Sequence, residues 1–304
     1  MIKNQQSSVP LFCFVVLHYK TWWDTFVCVD SILNLEYSNK HVIIVDNASN
    51  NGSKEKLEER YAKQQEITLL FSDRNLGFSL GNNLGFSYAK NELKADFIAL
   101  SNNDIIIKDS LLADKVISKY DAMKFDILGP DIISTVDNLH QNPRFELYDS
   151  IDRLEKFTKN FRRLLLLSFL SLDVLLVDLK KKIKPTSRLP SYKTDINHYQ
   201  EQWNVKLHGS FWVFSPDYIN QYEGLYPLQS MHMEESILNY IVKRDKLRTV
   251  YYPDCVVYHK EDSSTNHVYG KGVHKRRFYY RNCLQSIRML KDLMKADESI
   301  RSND

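Results

Sequence analysis

The order of apolar runs in the first 120 or so residues constrains this chain more than any other feature. Leu11–Leu17, His41–Val45, Ile67–Phe71 and Phe97–Leu100 are short β-type runs, and each is followed by an amphipathic segment: Trp22–Leu35, Ser53–Gln65, Ser79–Leu93 and Ser110–Tyr120. Parallel neighbours need a crossover, and a helix of this length supplies one, so the pattern predicts a mostly parallel sheet with helices on both faces. Sheets of that kind bind ligands outside the carboxyl ends of their strands. The four loops there carry polar clusters: His18-Tyr19-Lys20, Asp46-Asn47-Ala48-Ser49, Asp73-Arg74-Asn75 and Asn102-Asn103-Asp104.

From Asp126 the order is less regular. The pattern predicts strands over Asp126–Pro130, Val205–Phe214, Thr249–Tyr252 and Val256–His259, and a helix from about Met233 to Lys243. This suggests three parts: a ligand-binding α/β half over 1–125, a second half over 126–260, and a basic helical extension over 261–304. A formal net charge of +3, from 41 basic and 38 acidic residues, gives no reason to expect nucleic acid. The first ten residues contain no secretion-signal pattern, so a cytoplasmic location is expected. Cys13, Cys28, Cys255 and Cys283 have no Cys-x-x-Cys spacing and read as reduced thiols. The apolar stretch Leu164–Leu179 lies in a leucine-rich insertion at 161–184 with basic residues at both ends, and Asp173 and Asp178 interrupt it. It is shorter than the ~20 residues that a membrane span needs. It fits either an interfacial helix on the inner membrane leaflet or a core or dimer-interface helix.

Several residues can carry chemistry, each with a plainer reading beside it. Asp46 and Asn47 end a strand and can read a base or ribose; Asp46 can equally precede a helix cap. Asn75, Gly77, Asn82 and Asn83 lie in a glycine-containing turn and helix start whose amides can face a sugar or phosphate. That stretch matches neither the dinucleotide fingerprint nor a Walker loop. Asn102, Asn103 and Asp104 can be a turn that caps its own amides, or Asp104 can anchor Mg2+ or Mn2+ together with substrate phosphate oxygens. His259 ends a strand and is a second metal-ligand candidate. Glu234 and Glu235 open a helix, where its dipole favours acids; in a cleft one of them can act as a general base.

Val45-Asp46-Asn47-Ala48-Ser49, Asn75 to Asn83, Leu100-Ser-Asn-Asn-Asp104, Gly209-Ser-Phe-Trp-Val-Phe214, Glu234-Glu235, Val257-Tyr-His259 and Tyr279-Tyr-Arg-Asn282 occur in an order that resembles the inverting family-2 glycosyltransferases. The likeness is greatest to the rhamnosyltransferase-like branch of bacterial surface-polysaccharide synthesis, and it covers roughly Pro10 to Asn282. The resemblance implies a GT-A Rossmann-like α/β fold with a smaller acceptor-side region and a C-terminal helix. It implies a pyrimidine nucleotide-sugar donor (dTDP-rhamnose or a UDP-sugar) read by Asp46, with Asn47, Asn75, Gly77, Asn82, Asn83, Asn102 and Asn103 around it. Asp104 and His259 would hold Mg2+ or Mn2+, Glu235 would be the base, and Gly209, Ser210, Trp212 and Glu234 would lie on the acceptor side. The implied acceptor is a glycan hydroxyl, on a lipid-linked intermediate at the inner membrane face, and a homodimer is compatible. Asn102 replaces the first aspartate of the family's metal motif, and Glu235 stands where aspartate is commoner. Two other classes remain: a non-catalytic glycan-binding or scaffolding subunit, and a sugar nucleotidyltransferase. Against the latter, His18-Tyr-Lys-Thr-Trp-Trp23 occupies the place of its glycine-rich loop.

Overall fold

A computed structural model describes residues 9–146, 148–174, 197–227, 232–261 and 272–301. The first four expected strands form as β1 (Phe12–His18), β2 (Lys40–Asp46), β3 (Ile67–Phe71) and β4 (Phe97–Asn102). They are followed by β5 (Ile105–Ile107), β6 (Ile127–Ser134), β7 (Gln202–Trp203), β8 (Phe211–Phe214) and β9 (Thr249–His259). These nine make one sheet, ordered β3-β2-β1-β4-β8-β6-β9-β5, with β7 on β9. The β2, β3 and β4 pairings with their neighbours around β1 are parallel, as is β6 with β9, while β5, β7 and β8 run the other way.

The helices are α1 (Trp22–Leu33), α2 (Ser53–Tyr61), α3 (Gly77–Asn91), α4 (Leu112–Ala122), α5 (Ile151–Ser168), α6 (Pro216–Gln221), α7 (Glu234–Arg244) and α8 (Val273–Arg301). Phe12, Phe14, Val16, Val29 and Leu57 fill the core on one face of the sheet, and Val15, Ile43, Phe86 and Trp212 that on the other. Both faces of the central strands are therefore apolar, which is why these runs are continuous rather than alternating. α3 lies unusually close to the sheet. A Cβ at Gly85 would sit 2.4 Å from a Val15 methyl, and one at Gly81 2.7 Å from a Leu17 methyl, so only glycine allows this approach.

Two expected boundaries differ. The run Val205–Phe214 is not one strand: Lys206 makes a bridge to Arg144, a turn intervenes at Gly209-Ser210, and β8 starts at Phe211. The two runs expected at 249–252 and 256–259 are one strand, β9, whose register against β6 shifts between Pro130 and Asp131. The bulge absorbs the Pro253-Asp254 interruption.

The helix of the leucine-rich region starts earlier than the expected segment. α5 begins at Ile151, capped by the Ser150 hydroxyl, and packs Leu154, Phe161 and Leu164 against Tyr280, Cys283, Ile287 and Leu290 of α8, with Ile237 and Ile241 of α7 between. Its inner face is thus core. Its outer face carries Lys156, Lys159, Arg162 and Arg163 and ends in exposed Leu166, Phe169 and Leu170. The rest of the expected segment, from 175 to 184, lies outside the described residues. No helix among those described is long and apolar enough to cross a membrane.

Candidate active site

The carboxyl ends of β1, β2, β4, β6 and β9 and the amino end of the reversed β8 all open on one edge of the sheet. His18 pairs in register with Asp46, and Leu17 with Asn102. Asn102 N–H donates to the Ser210 carbonyl at 2.9 Å, carrying the rim across to β8. Sheet topology alone therefore gathers residues from positions 18 to 259.

On the β2 side the candidates are held by hydrogen bonds to uncharged, buried or half-buried partners. Asp46, 5% exposed, accepts from the Ser49 amide at 3.1 Å and from the Ser49 hydroxyl. Burial raises its carboxyl above the usual range, and those two donors oppose the rise. His18 is fully buried, its Nδ1 on the Thr25 hydroxyl at 2.7 Å, and burial lowers it to about 4, so it is neutral here. The Asn47 side chain accepts from Leu76 N–H at 2.7 Å and donates to the Gly77 carbonyl at 3.0 Å and the Asn75 side chain at 3.3 Å. It ties the β2 loop to the start of α3, where Gly77 takes the left-handed φ of 78°. Asn82 donates to the Phe78 carbonyl of its own helix. Asn83 exchanges two 2.7 Å hydrogen bonds with the Leu225 backbone. Asn103 is buried against Thr21 and Thr25. At Asn47, Asn83 and Asn103 the side chain braces a loop, and at His18 and Asn82 it bonds to a helix.

The β5–β9 pairing sets Ile105 opposite His259, which brings Asp104 and His259 together. Asp104 Oδ1 faces His259 Nε2 at 3.3 Å, and both residues are at least nine-tenths buried. The Gln141 amide donates to Glu261, so its oxygen accepts from His259 Nδ1–H at 2.8 Å. That leaves Nε2 turned toward the carboxylate. Octahedral Mg2+ or Mn2+ with bonds of 2.0–2.1 Å places adjacent donors about 3 Å apart, so the pair fits a shared divalent ion. Among the described residues no cluster of three or more His, Cys, Asp or Glu side chains could hold a metal. An ion here would need substrate oxygens as well.

Glu235, in the first turn of α7, borders this pair. The helix starts after two left-handed residues, His232 (φ 77°) and Met233 (φ 68°), which aim its first turn at the rim. Glu235 Oε1 accepts from Gly209 N–H at 2.7 Å, and a Cβ on Gly209 would come within 3.2 Å of the Glu235 side chain. Oε2 lies 3.6 Å from Arg144 Nη1. His208 stands between Glu235 and His259, its ring 5.7 Å from the latter's. His208 Nδ1 accepts the Ser210 N–H at 3.0 Å and burial drives its pKa well down, so this imidazole is neutral. Burial alone would raise Glu235, but Arg144 foremost, with Lys206 and the Gly209 amide, lowers it below the usual carboxylate range even with His208 neutral. Glu234 points elsewhere, among Ser79, Leu225 and Tyr226, and its Oε2 has no hydrogen-bond partner among the described residues. Burial first, then the charge of Glu235, raises it to about 7.

Of the residues expected on the acceptor side, Gly209 and Ser210 lie beside Glu235 and Asn102. Trp212 is fully buried against Phe78 and Phe214 and backs the wall without facing the cleft. Sequence reasoning missed Gln141, Asn142, Arg144, Lys206 and His208. Asn142 pins this group: its side chain donates to the Pro130 carbonyl at 2.8 Å and accepts from His208 N–H at 2.8 Å. Lys206 is buried between Ser236 (2.7 Å) and Glu146 (3.4 Å). The one local sign was the run Gln141-Asn-Pro-Arg144, a mostly polar stretch in the loop beyond β6.

The profile of glycosyl transferase family 2 matches residues 15–178, more than half of the chain. The glycosyltransferase GlyG of Streptococcus pneumoniae serotype 4 is 28% identical over 102 residues, 34% of this chain and 33% of that protein. S. aureus TarS 1-349 in complex with UDP superposes on 84% of this chain and 62% of its own, with a TM-score of 0.51 and 12% identity. GalNAc-T7 with UDP, GalNAc and Mn2+ does so on 85% and 45%, with a TM-score of 0.57 and 12% identity. The chain spans about a third of that curated relative and less than two thirds of either solved chain. Likeness at these identities establishes the fold: mixed α/β, with a mostly parallel central sheet, as in GT-A glycosyltransferases.

Proposed function

The chain belongs to glycosyl transferase family 2, and from that premise we propose that it transfers a sugar, with inversion, from a pyrimidine nucleoside-diphosphate sugar to a hydroxyl of a glycan. The observation that carries the reading is the 3.3 Å approach of Asp104 to His259 within the same rim as the Glu235 carboxylate. A carboxylate and an imidazole nitrogen turned on each other suit a divalent ion, Mg2+ or Mn2+. When bound, that ion would offset the negative charge that grows on the departing diphosphate.

The residues then divide the work. Glu235 takes the proton of the acceptor hydroxyl as its oxygen bonds to the anomeric carbon; on the opposite face the carbon–oxygen bond to the diphosphate breaks and its electron pair leaves with the nucleotide. A single displacement inverts the anomer. Asp46, with Ser49 fixing its carboxylate, reads the pyrimidine, and Asn47, Asn75, Gly77, Asn82, Asn83, Asn102 and Asn103 set the loops around it. Gly209 and Ser210 border the acceptor. In this reading residues 1–125 form the donor half, 126–260 the acceptor half and 261–304 a helical extension. Deoxythymidine-linked rhamnose is the first donor to try, as in the rhamnosyltransferase-like branch. The basic face of α5 that ends in exposed Leu166, Phe169 and Leu170 supports contact with an anionic inner leaflet, where a lipid-linked acceptor would be met.

The test is a panel of UDP-, dTDP- and GDP-sugars, each with Mn2+ and with EDTA, read by thermal shift and by nucleoside diphosphate release. Metal-dependent stabilisation and turnover by one pyrimidine nucleotide sugar is expected. Silence across the panel would overturn the reading in favour of a glycan-binding or scaffolding role. GalNAc-T7 crystallised with Mn2+ makes that ion the natural first metal for the panel.

A further inference from the structure

Arg144 is poorly used where it lies. Among the described residues its only close charged partner is Glu235, and the 3.6 Å between Nη1 and Oε2 is longer than a hydrogen bond. Its Nε is buried with no hydrogen-bond partner among the described residues. A guanidinium binds best through a fork of two parallel N–H groups, and here that fork is largely unfilled. The side chain is 26% exposed, so a ligand can reach it. Its backbone is fixed, because Arg144 N–H donates to the Lys206 carbonyl at 2.8 Å and Asn142 is locked to both β6 and His208. The neighbouring cation is not available in the same way, since Lys206 already has Ser236 and Glu146.

We propose that Arg144 is the binding point for a phosphate group carried by the acceptor, and that in the free protein it rests on Glu235 instead. This rests on the reading of Glu235 as the base. An arriving phosphate would fill the Nε and Nη fork with charge-assisted hydrogen bonds and draw Arg144 off the carboxylate. The groups facing Glu235 are Arg144, Lys206, the neutral His208 with His259 beyond it, and Glu234 on its own helix. Removing the foremost cation of that set leaves Glu235 more basic at the moment an acceptor hydroxyl is present. Without an acceptor, the base stays weak, which protects the donor from attack by water.

The experiment follows the Arg144 Nε–H signal by 15N NMR at neutral pH in EDTA, assigned by its disappearance in Arg144→Lys. Methyl phosphate, dimethyl phosphate, methyl diphosphate and UDP are titrated in turn at constant ionic strength. A saturable shift with any of the three methyl esters is expected; preference for methyl diphosphate points to a lipid diphosphate, and preference for dimethyl phosphate to a phosphodiester-linked glycan. Glu235→Gln removes the competing carboxylate and should tighten binding of the preferred ester about five- to tenfold. A signal unmoved by all three esters, a response to UDP alone, or equal affinity in Glu235→Gln would overturn the proposal. None of these readings needs sugar transfer, so an inactive protein that shows the shift would sink the proposed function and leave this site standing.

Discussion

The rim of this sheet is built in two ways. Between β2 and α3, Asp46, Asn47, Asn75 and Asn103 are held by hydrogen bonds to uncharged hydroxyl, amide and backbone partners. Between β8 and α7, Glu235, Arg144, Lys206 and Glu146 are held chiefly by charge. A neutral network keeps one shape across pH and salt, which suits a pocket for a fixed ligand such as a nucleotide. A charged network changes when a proton or an ion arrives, which suits the side where bonds form. The contrast sets out what each half should do under perturbation.

The sharpest division comes from Glu235→Gln. Transfer should fall by about 10²–10⁴-fold, the usual contribution of a general base, with nucleotide affinity and melting temperature little changed. An equal loss of nucleotide binding would mean that the two sides are not separable. Asn47→Ala should act in the opposite sense, costing about 3 kcal/mol of stability because Leu76 N–H and the Gly77 carbonyl lose their buried partner; denaturant unfolding checks this, and the loss should be the same at pH 6 and pH 8.

Glu234 supplies the pH test. Its folded pKa of about 7 lies above the ordinary 4.5, so its contribution to stability is fully present below 4.5 and is lost as pH rises through 7. Glu234→Gln should therefore gain on the parent between pH 5 and pH 8, by roughly 2 kcal/mol, seen as diverging melting curves. Parallel curves would place that carboxyl in water. The smallest effect belongs to Ser49→Ala, which removes the hydroxyl on Asp46 and should cost about 1 kcal/mol, unaltered by added salt. A salt-dependent loss there would erase the contrast from which these expectations start.

The sequence showed the first half of this picture better than the second, for a physical reason. Parallel strands buried on both faces write themselves as continuous apolar runs, so Leu11–Leu17 or His41–Val45 announce both an element and its rim. Asp46 and Asp104 were legible because each directly follows such a run. Arg144, His208 and Gln141 were not, because what makes them a group is pairing across 62 to 118 positions, through Lys206, Asn142 and His259. Asn47 was legible as a rim residue, but its role in holding Leu76 and Gly77 was not, since that depends on how closely α3 approaches the sheet. The split of Val205–Phe214 was missed for a related reason: an apolar run does not reveal where the Gly209-Ser210 turn breaks it.

The β4–β8 seam has one more consequence. Ile98 to Ser101 pair with Phe214 to Phe211, and Asn102 N–H reaches across to Ser210, so the sheet continues without a break from the side of Asp46 to the side of Glu235. A clamshell enzyme opens by bending at a linker, and a continuous ladder of this kind has no linker to bend. The two sides of the rim are thus fixed to each other like the two ends of one bench.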